Sequence, residues 1–468
     1  MEGTTPSLSS QPHAVGHAAP ECLRCRELEA RILELETRLR DLEDRLKPPT
    51  KRLAPALPPG PAKQPTGKKR GGQKGHTGHI KTFLPSERVK ATIPYIPTQC
   101  TQCDKPLSAQ AGPSDRLPTR HQVVELPEIR ADVTEYQGHY RTCARCGHEN
   151  HAAIPAEIRE HAFGPLLSSL IVYMAGDHGM SKRSIEEIVE QVFHVPIALG
   201  TIANLEAEMS DALVSPYEQA RKAVADADVK NLDETGWKEA GKKRWLWVAA
   251  TVNTVLFLIH PRRNLAALQL LLGRLKGTLV SDRWCTYDNW ESDERQLCWA
   301  HVKRNWEKQI ERGGLAKTLG CQWLDHQKLV FELWHRLKSD KALSRKQVSE
   351  QFVPHIEALG DLLRRGIAGR DAQLARFCES LLDRYHMYWL FAWTEGVEPT
   401  NNHAERVQRR AVLWRKRSFG CQSQNGCRFV ERILTVVQTL RLQKRNALDY
   451  LTQCLTAHRT GTTAPALV

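Results

Sequence analysis

The sequence predicts a multidomain chain organised around a mixed α/β core that carries an all-helical insertion. Three observations lead there: short β-branched runs between residues 229 and 281 that enclose one helical stretch, a long helix-like stretch after them, and an N-terminal third that reads as separate small modules. A length of 468 residues suits roughly three domains of ~150 residues. With 41% hydrophobic and 26% charged residues, the chain can build a sizeable core.

Its charge is less ordinary, with a formal net of +14 and a pI near 9.2. Lys47 to Lys90 holds eleven Lys/Arg against one acid, and Asn401 to Asn446 holds eleven against two. The basic charge is therefore local, and two such segments favour a polyanionic partner. The N-terminus has no hydrophobic signal core and no apolar run approaches the ~20 residues of a membrane span. The expectation is a cytoplasmic protein with no membrane partner. Thirteen cysteines, an odd count, argue for thiols and metal ligands over a disulfide framework.

Residues 1–22 are rich in Ser, Pro, Gly and His and are predicted to be disordered. Within 23–47, Leu28, Leu35 and Leu42 alternate with Ile32, Leu39 and Leu46 in steps of three and four, a short coiled-coil seam ended by Pro48-Pro49. That seam predicts a homodimer. Cys22 and Cys25 just before it are free thiols or, in a parallel dimer, a shared metal site. The arm 48–95 is rich in proline and carries Lys68, Lys69, Arg70 and Lys74, placed to pair with phosphates.

Cys100, Cys103, Cys143 and Cys146 form two CxxC pairs in 96–152, a ligand set that suits one structural Zn²⁺ in a zinc ribbon. Val123–Leu126 and Ala131–Tyr136 read as strands filling the gap between them. In 155–218 the apolar period is helical, and the joint from His194 to Gly200 suits a helix-turn-helix that reads DNA, or an ordinary helical hairpin.

The core, 222–310 in its first part, starts with a short strand ended by Asp233. Two strands joined as a hairpin follow, Trp245–Thr251 and Val255–Ile259. A helix at Leu265–Leu275 then leads to a strand that runs into Asp282. This order matches the first half of a ribonuclease H-like fold, in which the two aspartates lie side by side. Glu405, on a helix capped by Asn401 or Asn402, can complete the set. Three carboxylates suit Mg²⁺ or Mn²⁺, and two such ions ~4 Å apart serve phosphoryl transfer. Glu234 and Asp288 are the rival ligands. A helical insertion (311–395) separates Asp282 from the segment 396–455, and a tail (456–468) follows.

On α-helical spacing, His301 and Arg304 lie one turn apart and can face DNA or the scissile phosphate. Arg406, Arg409, Arg410, Arg415, Lys416 and Arg417 follow Glu405 and suit phosphates, a solvated role being the alternative for Arg409, Lys416 and others. Trp237, Trp245, Trp247 and Trp299 read as core residues.

The heptad N-terminus, Gly71-Gly72-Gln73-Lys74-Gly75-His76, the paired CxxC knuckles, Asp233-Glu234-Thr235, Ser281-Asp282, Cys298-Trp299-Ala300-His301, Asn401-Asn402-His403-Ala404-Glu405-Arg406 and Arg415-Lys416-Arg417-Ser418-Phe419-Gly420 together resemble the bacterial insertion-sequence transposases of the IS66 type. The resemblance runs from about residue 28 to 452. It implies a DDE transposase, with Asp233, Asp282 and Glu405 as metal ligands. Its partners would be terminal-repeat and target DNA and accessory proteins of the same element, and its place the nucleoid. The alternatives are a transposase-derived repressor without catalysis and a structure-selective nuclease of ribonuclease H-like fold.

Overall fold

In the computed structural model the described residues are 82–468, apart from Ser114 and Lys341. The expected coiled coil, the Cys22/Cys25 pair and Lys68, Lys69, Arg70 and Lys74 lie outside them. The described residues divide into two compact units, with the break after Val124.

In the first unit the Cys100 knuckle is closed by Cys100 N donating to Lys105 O (2.9 Å) and Asp104 N to Cys100 O (3.0 Å). The second unit opens with a hairpin, β1 (Tyr140–Thr142) and β2 (Glu149–His151), whose turn holds Cys143 and Cys146. The two stretches expected to be strands, 123–126 and 131–136, are not strands. Their apolar alternation has no hydrogen-bonded neighbour, and Val123 and Val133 are largely exposed.

After a short helical turn at Ala156–Arg159, four longer helices among the described residues precede the main sheet: α1 (Pro165–Gly176), α2 (Lys182–Phe193), α3 (Leu199–Ala212) and α4 (Val214–Asp226). Ser181 caps α2 by accepting from Ser184 N (3.1 Å), and His194 ends it in the left-handed region. Between Lys182 and Ala212 the charged residues are Lys182, Arg183, Glu186, Glu187, Glu190, Glu206, Glu208 and Asp211. An acidic helix pair repels phosphates, so its charge counts against DNA reading here and favours the hairpin. The apolar face of α3, with Ile202, Leu205 and Met209, is buried.

The main sheet has five strands in the order β5-β4-β3-β6-β7, with β3 (Val229–Glu239), β4 (Lys242–Ala250), β5 (Val255–His260), β6 (Thr278–Ser281) and β7 (Arg295–Leu297). β3, β4 and β5 pair antiparallel, while β3–β6 and β6–β7 are parallel. Between β5 and β6, α5 (Leu265–Leu272) is capped by Asn264 and ends before Gly273, where φ is 70°.

Side chains alternate across the sheet with period two. Trp237, Leu246, Val248 and Phe257 join one core with α1, α3 and two C-terminal helices, α11 (Gln424–Leu442) and α12 (Ala447–Arg459). Leu232, Trp247, Ala249 and Leu256 join the opposite core with α5.

Between β7 and the glutamate helix α10 (Asn402–Ser418) the chain is helical: α6 (Trp299–Ile310), α7 (Gly314–Ser339), α8 (Arg345–Ile367) and α9 (Ala372–Leu382). Buried Trp299, Trp306 and Trp323 anchor this third core, each worth on the order of 3–5 kcal/mol against alanine. Gln296 of β7 ties it to the sheet, accepting from Phe391 N (2.8 Å) and donating to Tyr388 O (3.1 Å). No helix among the described residues is long and apolar enough to cross a membrane.

Candidate active site

Asp233 does not end its strand, because β3, eleven residues long, continues past it to Glu239. What ends near it is the parallel pairing with β6, whose last registered pair is Asn231 with Val280. Asp233 lies within β3 and Asp282 just past the end of β6, each two residues beyond the last registered pair of these parallel neighbours.

Glu405 reaches this point through Asn401. The expectation of a capping side chain is corrected: Asn401 stands at the N-cap of α10 but makes no side-chain cap bond. Its amide instead donates to Leu232 O (2.6 Å) and accepts from Asn231 Nδ2 (3.0 Å). Its backbone N–H donates to Cys298 Sγ (3.2 Å), and Trp299 N donates to Pro399 O (3.0 Å). Asn401 is 1% exposed, so tertiary bonds replace the water a cap would see. Three elements are thus pinned at one residue: β3 beside Asp233, the β7–α6 junction, and the start of α10. His403 adds a bond to Thr251 O (2.6 Å).

Burial pushes the Asp233 carboxyl up to about 7, helped by the charges of Glu234, Asp282 and Glu405 and opposed by the Glu234 backbone N–H. That N–H donates to Asp233 Oδ1 at 2.9 Å. His301 is half-buried; burial and Arg304 lower its pKa, while Asp282 and Glu405 raise it. Its Nδ1 is buried without a partner. Arg304 lies 3.7 Å from Glu405 and is well exposed. Asp282 and Glu405 thus act electrostatically on both Asp233 and His301, and Arg304 acts on His301. Even so, among the described residues no three His, Cys, Asp or Glu side chains already stand as a metal cluster.

Both rival carboxylates have other partners. Glu234 shares the parity of Leu232 and faces the opposite side of the sheet, where Arg263 Nε (2.7 Å) and the Tyr287 hydroxyl bind it. Arg263 in turn lies over the rings of Trp284 and Trp245. Asp288 is held by Arg295 (2.6 Å) and Arg384 (3.1 Å).

The arginines after Glu405 divide. Arg406 is exposed. Arg410 lies 4.0 Å from Asp177, which is buried and also paired with Arg441. Arg415 turns inward, donating to Thr235 Oγ1 (2.9 Å) and Gly236 O, and Arg417 donates to His178 O (2.9 Å). Arg415 is therefore a strut between α10 and β3, a role that its place in a basic run hid. Trp237, Trp247 and Trp299 are fully buried.

Residues 160–428, which contain all three carboxylates, match the family described as "Transposase IS66 family". The chain belongs to that family. The transposase is also 23% identical over 431 residues to the uncharacterized protein y4qI of Sinorhizobium fredii (strain NBRC 101917 / NGR234), covering 82% of this chain and 74% of that protein.

Outside the matched region the transposase carries two alike cysteine knuckles. Cys143 N donates to His148 O (2.8 Å) and Gly147 N to Cys143 O (2.9 Å), the same pattern as at Cys100. Backbone N–H groups of Gln102 and Cys103 lower the Cys100 thiol, and those of Cys146 and Arg145 lower Cys143. Donors aimed at sulfur favour thiolate, the form that binds Zn²⁺.

Proposed function

We propose that this transposase binds the terminal inverted repeats of its insertion sequence, cleaves them and joins them to target DNA, using Asp233, Asp282 and Glu405 in a ribonuclease H-like core. The observation that supports this reading is that the charges of Asp282 and Glu405 both act on the Asp233 carboxyl. Asp233 and Asp282 each stand two residues beyond the last registered pair of parallel β3 and β6. Glu405 arrives on a helix that buried Asn401 fastens to Leu232, the residue before Asp233.

The donor set fits Mg²⁺ or Mn²⁺. All three are hard oxygen ligands, and Asp233, partly buried, has no cation among the described residues to offset its raised pKa. Two such ions would supply positive charge to the attacking and leaving oxygens. The protein's part is to hold the carboxylates in register, keep β3 and α10 at a fixed spacing through Asn401 and Arg415, and present Arg304 and Arg406 to phosphate. In the first reaction water attacks the phosphodiester and a 3′-hydroxyl leaves. In the second that hydroxyl attacks a target phosphodiester.

The two knuckles, Cys100/Cys103 and Cys143/Cys146, supply four thiolates for one structural Zn²⁺, and the heptad of residues 23–47 joins two copies. The basic arm with Lys68, Lys69, Arg70 and Lys74 adds phosphate contacts, and accessory proteins of the element assist.

Replacing Asp282 by Asn tests the assignment. Binding to DNA that flanks the transposase's own gene should persist within about threefold, while cleavage in Mg²⁺ falls by at least about a thousandfold. Undiminished cleavage would sink it, and binding without cleavage by the wild type would favour the repressor.

A further inference from the structure

Phe419 ends α10 in the left-handed region, with φ at 59°. That conformation is unfavourable for a bulky side chain, and helices usually place glycine or asparagine there. The ring is 77% exposed, so burial does not offset the strain. Termination alone would be served better by another residue.

The backbone beneath the ring is held firmly. Gly420 packs so closely that a Cβ would collide with Lys238 O, and Cys421 N donates to that same oxygen (2.9 Å). Ala240 N returns a bond to Cys421 O (2.8 Å), and Trp237 Nε1 reaches Cys421 Sγ (3.4 Å). The loop after α10 is thus laced to the β3–β4 turn.

Around this fixed tip the exposed charges are basic. Lys416 and Arg417 precede Phe419, and Lys238 and Lys243, paired across β3 and β4, stand with Lys242 at the turn. The nearby acid, Glu239, is taken by Arg244 at 2.7 Å. An apolar prong on a rigid base with a cationic rim suits a polyanion with apolar planar steps inside, which is duplex DNA.

We propose that Phe419 is a wedge that enters a base step of the bound DNA end and unstacks it. This inference rests on the DNA reading above. At a rise of ~1.5 Å per residue, α10 carries the chain roughly 21 Å from Glu405 to Phe419. With base pairs ~3.4 Å apart, the opened step should lie about six pairs from the cleaved phosphate.

The test uses the full chain, in Ca²⁺ to suppress cleavage, and a 2-aminopurine scan of a duplex taken from the DNA flanking the transposase's own gene. Wild type should raise the fluorescence about threefold or more at one position, about five to seven pairs from the cleaved bond. Phe419→Gly, which suits the left-handed backbone and keeps the fold, should abolish that rise while binding stays within about threefold. Phe419→Trp should keep it. A rise that survives in Phe419→Gly, or wild-type binding with no rise anywhere, would overturn the wedge and leave the DNA reading standing. Failure of the wild type to bind any such duplex would overturn both.

Discussion

Asp233 carries the site's electrostatic cost. Its folded pKa of about 7 lies above the ~3.9 of an unfolded aspartate, so the folded chain binds a proton more tightly than the unfolded one. The cost of ionising it is absent below pH ~4, grows as the pH rises between the two values, and is complete above 7. Asp233→Asn keeps an acceptor for Glu234 N–H and removes the charge. In metal-free buffer it should raise stability by roughly 1–3 kcal/mol at pH 8, allowing for partial solvent screening, and change it little at pH 4. Thermal melts at the two pH values check this; equal effects at both would contradict it. The sequence marks the trio as candidates, since each carboxylate stands beside a distinctive neighbour. The parity that sends Glu234 to the other face was equally available, but only once β3 is known to be one long strand. Arg415 was not legible, because inward and solvated arginines look alike in a basic run.

Helix α10 depends on its docking at both ends, by Asn401 near Asp233 and by Arg415 near Thr235. Asn401→Ala leaves Leu232 O and Asn231 Nδ2 without their partner and should cost about 2–4 kcal/mol of stability. It should also raise the Mg²⁺ concentration needed for half-maximal cleavage by about tenfold, with DNA affinity unchanged. Cleavage assays over a Mg²⁺ series at a temperature where the variant is folded check this, and an unchanged Mg²⁺ requirement would contradict it. Asn401 was read as a cap because a capping asparagine and one making tertiary bonds share the same position at a helix start. Strand β7 escaped the sequence because Arg295-Gln296-Leu297 has little apolar character; Arg295 is buried through its pairing with Asp288, and Gln296 through its bonds to the insertion. The knuckles make their own prediction. Elemental analysis should find about one zinc per chain, and Cys103→Ser or Cys146→Ser should lose most of it. Retention of zinc by both variants would remove the ribbon from the account.

Across the whole molecule, charge and chemistry lie in different stretches of one chain. The strongly basic segments are the arm before residue 90 and the stretch after Asn401, whereas the aspartates sit in the α/β core between them. The order of strands and helix in that core was readable from its β-branched runs, although the helix read to Leu275 ends at Leu272, where Gly273 takes a positive φ. The central claim is that Asp233, Asp282 and Glu405 form one catalytic set, and a strand-transfer assay in Mn²⁺ on the transposase's own DNA ends tests it most directly. Asp233→Asn, Asp282→Asn and Glu405→Gln should each reduce joined product by at least about a thousandfold. Asp288→Asn, tested at a temperature where the variant is folded, should retain product within about tenfold. Joining that persists in any of the first three, or is lost only in Asp288→Asn, would contradict the account.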